Sequence, residues 1–324
     1  MPTLAKPDRR GTPSNARGRR RSWWWWGRHT LTLVFIAVVA LLLAEQVGKI
    51  DWGKVLQSLR GYTAWTLAAA AALTVLSHLL FGGFDQLGRR YVGHALRPSQ
   101  VAMVAGICYA FTLNMGALIG GIAFRYRLYS RLGLAAPDIT KVYALSVLSN
   151  WLGYLILLGT LLLAGAVPVP PRWGIPAGLL PVLGVACWVL VAGYGAMCAG
   201  AGRRRFVLKG VPIEWPGWWM VLVQGAMSIA NWLLMGLIVH LFMGGRVDYP
   251  TVLGVMLLSA VAGALTHVPA GLGVLEAVFL TMLAGQLPAY EILAALLAYR
   301  AVYYLCPLVP AVAAYAVFEA RARR

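Results

Sequence analysis

Three clusters of side chains in this sequence have the types and spacing to do chemistry. The first is Gly120-Gly121-Ile122-Ala123-Phe124-Arg125-Tyr126-Arg127-Leu128-Tyr129-Ser130-Arg131. Its glycines permit a turn or a close backbone approach, and guanidinium groups suit bidentate contact with phosphate. Arg125, Arg127 and Tyr129 therefore fit a lipid phosphate or an acidic headgroup. The same residues also fit an ordinary basic loop held at a membrane interface by its tyrosines. The second cluster is Pro269-Ala270-Gly271-Leu272-Gly273-Val274-Leu275-Glu276. Pro269, Gly271 and Gly273 argue against an unbroken helix, and a half-helix starting at Gly273 would aim its positive end at a ligand. Glu276 is the only acidic residue deep inside an apolar segment. Burying a charge there costs at least ~2.5–3.5 kcal/mol on insertion scales, and such residues usually have a partner or a function. The plainer alternative is a helix N-terminal acid that offsets the dipole. The third is Arg300, about ten residues into the last apolar segment and so ~15 Å deep at 1.5 Å per residue. Tyr303 and Tyr304 lie one turn further on. Glu276 is the natural counter-ion of Arg300, in a transport site or in a purely structural pair.

The remaining polar residues carry less. Asp85 precedes Arg89 by four residues, which fits an interfacial helix pair worth a few tenths of a kcal/mol. Asn114, Asn150 and Asn231 suit hydrogen bonds between helices, and Gly116-x-x-x-Gly120 suits close helix packing. His29, His78, His94, His240 and His267 are scattered, and no zinc, P-loop or nucleophile-elbow spacing occurs. The four cysteines read as small packing residues. No catalytic residue, cofactor or metal is expected from these motifs.

The elements that must position these groups are membrane helices. The chain of 324 residues is 60% hydrophobic and only 12% charged, against ~45–50% and ~25% in soluble domains. Its net charge of +18 would suit nucleic acid, but in a chain this apolar it reads as basic cytoplasmic loops. Residues 1–28 form a basic tail with eight Lys and Arg, too polar to bury a core. Four tryptophans, Trp23 to Trp26, then mark an interfacial belt. A single transmembrane domain is expected over 29–318, and a cytoplasmic tail over 319–324.

Apolar segments near the ~20 residues needed to span occur at 28–47, 64–84, 100–121, 140–165, 175–198, 217–243, 251–285 and 290–318. If all eight cross, Lys and Arg divide 16 inside to 11 outside; if the third and seventh enter and return, they divide 22 to 5. The positive-inside rule favours the second arrangement. The expectation is an all-α, polytopic protein with six full spans, two re-entrant hairpins and both termini cytoplasmic. Each half then reads span, span, hairpin, span, in opposite orientations, which is an inverted-topology repeat.

A set of residues resembles a known family. Asp85 with Tyr91, then Gly121-x-x-x-Arg125-x-x-Leu128-Tyr129-x-x-x-Gly133-Leu134, then Pro269-x-Gly271-Leu272-Gly273-x-x-Glu276, then Arg300 with Tyr303, resemble the transmembrane domain of lysylphosphatidylglycerol synthetases. That domain is the flippase half of the multiple peptide resistance factor, and the likeness is to stand-alone inner-membrane members. The resemblance covers roughly residues 30–318. It implies a bacterial membrane domain that handles or translocates phospholipids with anionic or aminoacylated headgroups. The cytosolic aminoacyl-transferase domain of the full synthetases is not expected, since the chain ends at Arg324. Two alternatives stand beside translocation. One is a non-catalytic partner or regulator of a lipid synthase. The other is a membrane enzyme modifying headgroups, with Glu276 as its base. No nucleic-acid partner is expected.

Overall fold

The computed structural model describes residues 51–170, 174, 176, 178–200, 205–208, 211–266, 268 and 271–322. The basic tail, the segment at 28–47 and Pro269 lie outside the described residues. Helix α1 (Trp52–Arg60) starts on Asp51, whose carboxylate accepts from the Lys54 amide. Helix α2 (Ala64–Val92) starts on Thr63 and stops at Gly93, which takes the left-handed backbone that terminates helices. Helix α3 (Pro98–Met115) has Pro at its first position, where no N–H is needed. A π-helical segment, π1 (Ala117–Ala123), leads into α4 (Phe124–Arg131) and α5 (Ala136–Leu163).

Helix α6 (Leu179–Gly200) precedes a short antiparallel ribbon, β1 (Arg205–Leu208) and β2 (Val211–Glu214). Then come α7 (Trp218–Phe242), α8 (Tyr249–Thr266) and α9 (Val274–Met282). The last long helix is α10 (Ala289–Tyr299), π2 (Arg300–Leu305) and α11 (Cys306–Ala322) run together. Apart from the ribbon, the regular elements of the described residues are helical.

Six helices among the described residues are long and apolar enough to cross a membrane. Five fall on segments expected to span: α2, α5, α6, α7 and the α10–α11 run. The sixth, α8, is the first arm of the segment expected to fold back.

Loop contacts sort the molecule into two ends. At one end Arg89 Nε donates to the Leu96 carbonyl at 2.7 Å, Tyr126 bonds Thr140, and Arg127 and Arg131 pair with Glu319. At the other, Tyr62 donates to the Phe242 carbonyl, Thr251 to the Ala166 carbonyl, and Arg246 pairs with Glu291. Helix α3 leaves the first end, and π1 with α4 returns to it. Helix α8 leaves the second end, and α9 returns to it.

The first fold-back depends on two glycines. Gly116 has φ 84 and ψ 169, a region open essentially to glycine alone. It is a helix break, not the packing position that Gly116-x-x-x-Gly120 suggested. At Gly120, a Cβ would lie 2.1 Å from the Thr112 backbone nitrogen, so π1 packs backbone to backbone on α3. Gly120→Ala is expected to destabilise the protein by about 1–3 kcal/mol through overpacking, read as a lower unfolding temperature in detergent.

Elsewhere, small residues let helices approach, as they must where lipid supplies little hydrophobic drive. A Cβ on Gly153 of α5 would lie 2.4 Å from Ser228 Oγ of α7, and Gly159 faces Gly184 of α6. Large apolar side chains such as Leu79, Val182, Val189 and Val309 point outward, where acyl chains would meet them.

Candidate functional site

The two fold-backs face one cavity. It lies between their tips and measures about 630 Å³. Thr112, Leu118 and Gly121 line it from the first hairpin, and Gly263, Gly271 and Leu275 from the second. Its side walls are aromatic and small-polar: Tyr109, Tyr143, Ser146, Trp151, Trp232 and Ser259. Among the described residues, Arg125 is the one charged residue in the lining.

Helix α4 places Arg125 and Tyr129 on one face, four residues apart. Both reach Asp85 of α2. Arg125 Nε donates to Asp85 Oδ2 at 3.1 Å and Nη2 to Oδ1 at 2.8 Å, while the Tyr129 hydroxyl donates to Oδ2 at 2.9 Å. Arg125 also reaches the Gly121 carbonyl and Ser146 Oγ, both at 3.4 Å, and its guanidinium lies 5.3 Å from the Tyr143 ring centroid. The pair is dry: Asp85 is 0% and Arg125 3% exposed. This corrects the expected Asp85–Arg89 pair, since Asp85 turns inward and Arg89 caps the Leu96 carbonyl instead. Arg127, on the outer face of α4, pairs with Glu319 at 2.8 Å and lies over the Tyr315 ring.

The second hairpin carries the counterpart. Arg300 Nε donates to Glu276 Oε1 at 2.5 Å and Nη2 to Oε2 at 3.1 Å. Nη2 also donates to the Gly271 carbonyl at 3.0 Å, and the guanidinium lies 5.4 Å from the Tyr304 ring centroid. The expected pairing of Glu276 with Arg300 is therefore present. Gly271 and Gly273 both take left-handed backbone, at φ 56 and 77, and Gly273 caps α9. Tyr303 faces away from Arg300, fully buried, with its hydroxyl on Ser77 and Tyr109.

The two arrangements share a plan. In each, a bidentate arginine–carboxylate pair ties the returning arm of a hairpin to a long helix. In each, the arginine also donates to a glycine carbonyl, Gly121 within π1 in the first and Gly271 at the turn in the second, and lies over a tyrosine lining the cavity. The roles are exchanged: the first hairpin carries the arginine, the second the carboxylate. Of the residues singled out in the sequence, Arg125 and Gly271 line the cavity, and Glu276 and Arg300 stand directly behind it. Arg127, Tyr129 and Tyr303 do not line it. Sequence reasoning gave Asp85 to Arg89 in place of Arg125, and did not single out Tyr143, Ser146, Trp151 or Trp232. The interhelical roles of Asn114 and Asn231 are present: Asn114 donates to the Tyr304 carbonyl and Asn231 accepts from Ser77.

Comparison with known proteins fits this geometry. The family described as lysylphosphatidylglycerol synthase TM region matches residues 30–311. The chain belongs to this family. It is 43% identical over 295 residues to the inner membrane protein YbhN of Escherichia coli (strain K12), covering 91% of this chain and 93% of that one. It is 30% identical over 293 residues to an uncharacterized protein of Synechocystis, covering 87% and 91%. With its six apolar helices, the chain is a multi-pass inner-membrane member of the lysylphosphatidylglycerol synthase transmembrane family.

Proposed function

We propose that this protein moves phospholipids between leaflets, with the headgroup in the cavity between the hairpin tips and the acyl chains left in the bilayer. The observation that carries this reading is the cavity itself. Two broken helices from opposite ends both line it, and irregular backbone at membrane depth is tolerated where protein buries it or where it lines a wet cavity. In inverted-repeat transporters, matched broken segments bracket the substrate. The lining is mostly apolar with few polar groups, as small-ligand sites are. Leu118 and Leu272, at the two tips, are 74% and 60% exposed, so each tip offers acyl chains an apolar edge beside the cavity. The re-entrant reading of both hairpins and the inverted repeat belong to this proposal.

The test is lipid exchange in vesicles holding the purified protein, read by dithionite quenching of fluorescent phospholipids. Gly263 lines the cavity, and a Cβ there meets nothing within 4 Å, so a large side chain can enter without a backbone clash. Gly263→Trp is expected to slow exchange at least ~10-fold, a barrier change of about 1.4 kcal/mol, with folding retained. Wild-type vesicles no faster than empty ones would overturn translocation and favour the second reading, an accessory partner of a lipid synthase. The family's name ties this transmembrane region to such an enzyme.

The orientation proposed places both termini and the α3–α5 loops in the cytoplasm. Ser130 is exposed at that end. Ser130→Cys is expected to resist an impermeant thiol reagent in intact cells and to react once the membrane is opened. Labelling in intact cells sinks this orientation.

A further inference from the structure

One ionisable group beside the cavity belongs to neither ion pair. His78 is the middle residue of α2, fourteen residues from Ala64 and fourteen from Val92. About 21 Å of helix therefore separates it from either end at 1.5 Å per residue, too far for an imidazole to reach an interface. Ionisable residues at such depth are rare and mark ion or substrate paths.

Its hydrogen-bonding state follows from its neighbours. Nδ1 lies 2.9 Å from the Thr74 carbonyl oxygen. A carbonyl only accepts, so Nδ1 carries a hydrogen, and in the neutral ring Nε2 is an acceptor. That Nε2 is buried and has no hydrogen-bond partner. The nearby hydroxyls cannot serve it. Ser77 donates to Asn231 Oδ1 at 2.7 Å, so the 2.7 Å contact between Ser77 and Tyr303 uses the Tyr303 hydrogen. The 2.7 Å contact between Tyr303 and Tyr109 then uses the Tyr109 hydrogen. The hydroxyl hydrogens of Ser77, Tyr303 and Tyr109 are all committed, so Nε2 gains a hydrogen only by taking up a proton.

The ring is also placed to hold the resulting charge. It packs against Tyr109 and Tyr303 at centroid distances of 4.8 and 5.0 Å, and aromatic rings stabilise a nearby cation. Tyr109 is stacked on Phe81 at 3.6 Å, and both line the cavity. His78 thus stands one ring behind the cavity wall.

Other titratable groups on the helices around α2 are engaged elsewhere. From α5, Asp138 pairs with Lys141, Tyr143 lies under Arg125, and Tyr154 donates to the Leu257 carbonyl. From π2, Arg300 holds Glu276 with Tyr304 beneath it. Tyr299 of α10 stacks on Tyr303, and His240 of α7 faces Tyr249. Cys108 of α3 is buried. Asp85, on α2 itself, is held by Arg125 and Tyr129.

We propose that His78 is a proton-binding site coupled to the cavity. It takes a proton from the aqueous phase onto Nε2 when an anionic headgroup enters, and once protonated it raises the cavity's affinity for that headgroup. The two effects are equal by linkage. The inference rests on the cavity being the lipid site.

The test uses full-length protein with 15N-labelled histidine in nanodiscs, His78→Gln identifying the resonance. The neutral ring is expected to show the Nδ1–H tautomer and to convert to the doubly protonated form as the pH is lowered. Replacing half of the phosphatidylcholine by phosphatidylglycerol is expected to raise the midpoint by about one unit, a tenfold gain in proton affinity. Gly263→Trp is expected to abolish that rise, whereas a surface-potential effect would survive the plug. An Nε2–H tautomer, or no titration, overturns the site. Equal midpoints in the two lipids, or a rise that survives Gly263→Trp, overturn the coupling. The resonance reports on His78 whether or not lipid crosses the vesicle membrane, so failure of translocation and failure of proton binding are read separately.

Discussion

Asp85→Asn and Arg125→Gln, made singly, are each expected to destabilise the protein by about 3–5 kcal/mol, because each strands a charge in a dry site. Both side chains are almost wholly buried although Arg125 borders the cavity, and Arg125 is held by Asp85, the Gly121 carbonyl and Ser146. The partner left behind differs. Without Arg125, Asp85 keeps one strong donor, the Tyr129 hydroxyl; without Asp85, Arg125 keeps two long contacts of 3.4 Å and the Tyr143 ring. Asp85→Asn is therefore expected to be the worse of the two, and the double variant to recover most of the loss. The measurement is thermal unfolding in detergent across the four proteins of the cycle. Additive losses would show that the two residues act independently, against the bidentate geometry. Tyr129→Phe is expected to cost less, about 1–3 kcal/mol, since it removes one hydrogen bond to a charged group.

The sequence shows one of the two ion pairs and conceals the other, for a physical reason. Glu276 and Arg300 are charges in otherwise apolar runs, and the cost of burying them alone demands a partner. Asp85 hides because the apolar run ends at Phe84, which suggests that the helix is leaving the membrane there. The helix instead continues through Gly88, Arg89 and Arg90 to the left-handed Gly93. Gly88 brings α5 close at that level: a Cβ on it would lie 2.9 Å from Val142 Cγ1. The legible hint was the i,i+4 pair Arg125 and Tyr129, which places two donors on one helix face and calls for an acceptor.

The break at Gly271–Gly273 was equally legible, because glycine and proline in an apolar run have few other uses. The cavity's aromatic side wall was not. Trp151, Trp232 and Tyr143 are ordinary residues of membrane helices, and only packing shows which of them face inward. His78 was equally concealed: with the apolar run ending at Phe84 it falls near a helix end, and only the continuation of α2 to Gly93 places it at the centre.

The pair in the second hairpin is expected to respond differently from the first. Glu276 and Arg300 have side chains 11% exposed, and Arg300 rests on Tyr304, which lines the cavity. Some of the burial cost of a stranded charge is relieved by that access, so Glu276→Gln is expected to lie at or below the lower end of the ~3–5 kcal/mol range for a broken buried pair. Its functional effect is expected to be the larger. Arg300 holds the Gly271 carbonyl as well as Glu276, so the pair fixes the turn where the second hairpin meets the cavity. Freeing Arg300 from Glu276 loosens that turn while the fold persists. Glu276→Gln with Arg300→Gln is then expected to regain stability over either single variant yet to remain at least ~10-fold slower in lipid exchange, a barrier raised by about 1.4 kcal/mol. Recovery of stability and exchange together would make the pair a structural clamp with no part in translocation. Additive loss of stability, with exchange falling only as the folded fraction falls, would leave Glu276 as an acid that offsets the dipole of α9. Arg125, the charged residue of the cavity lining, would then be the group to test next against headgroup charge.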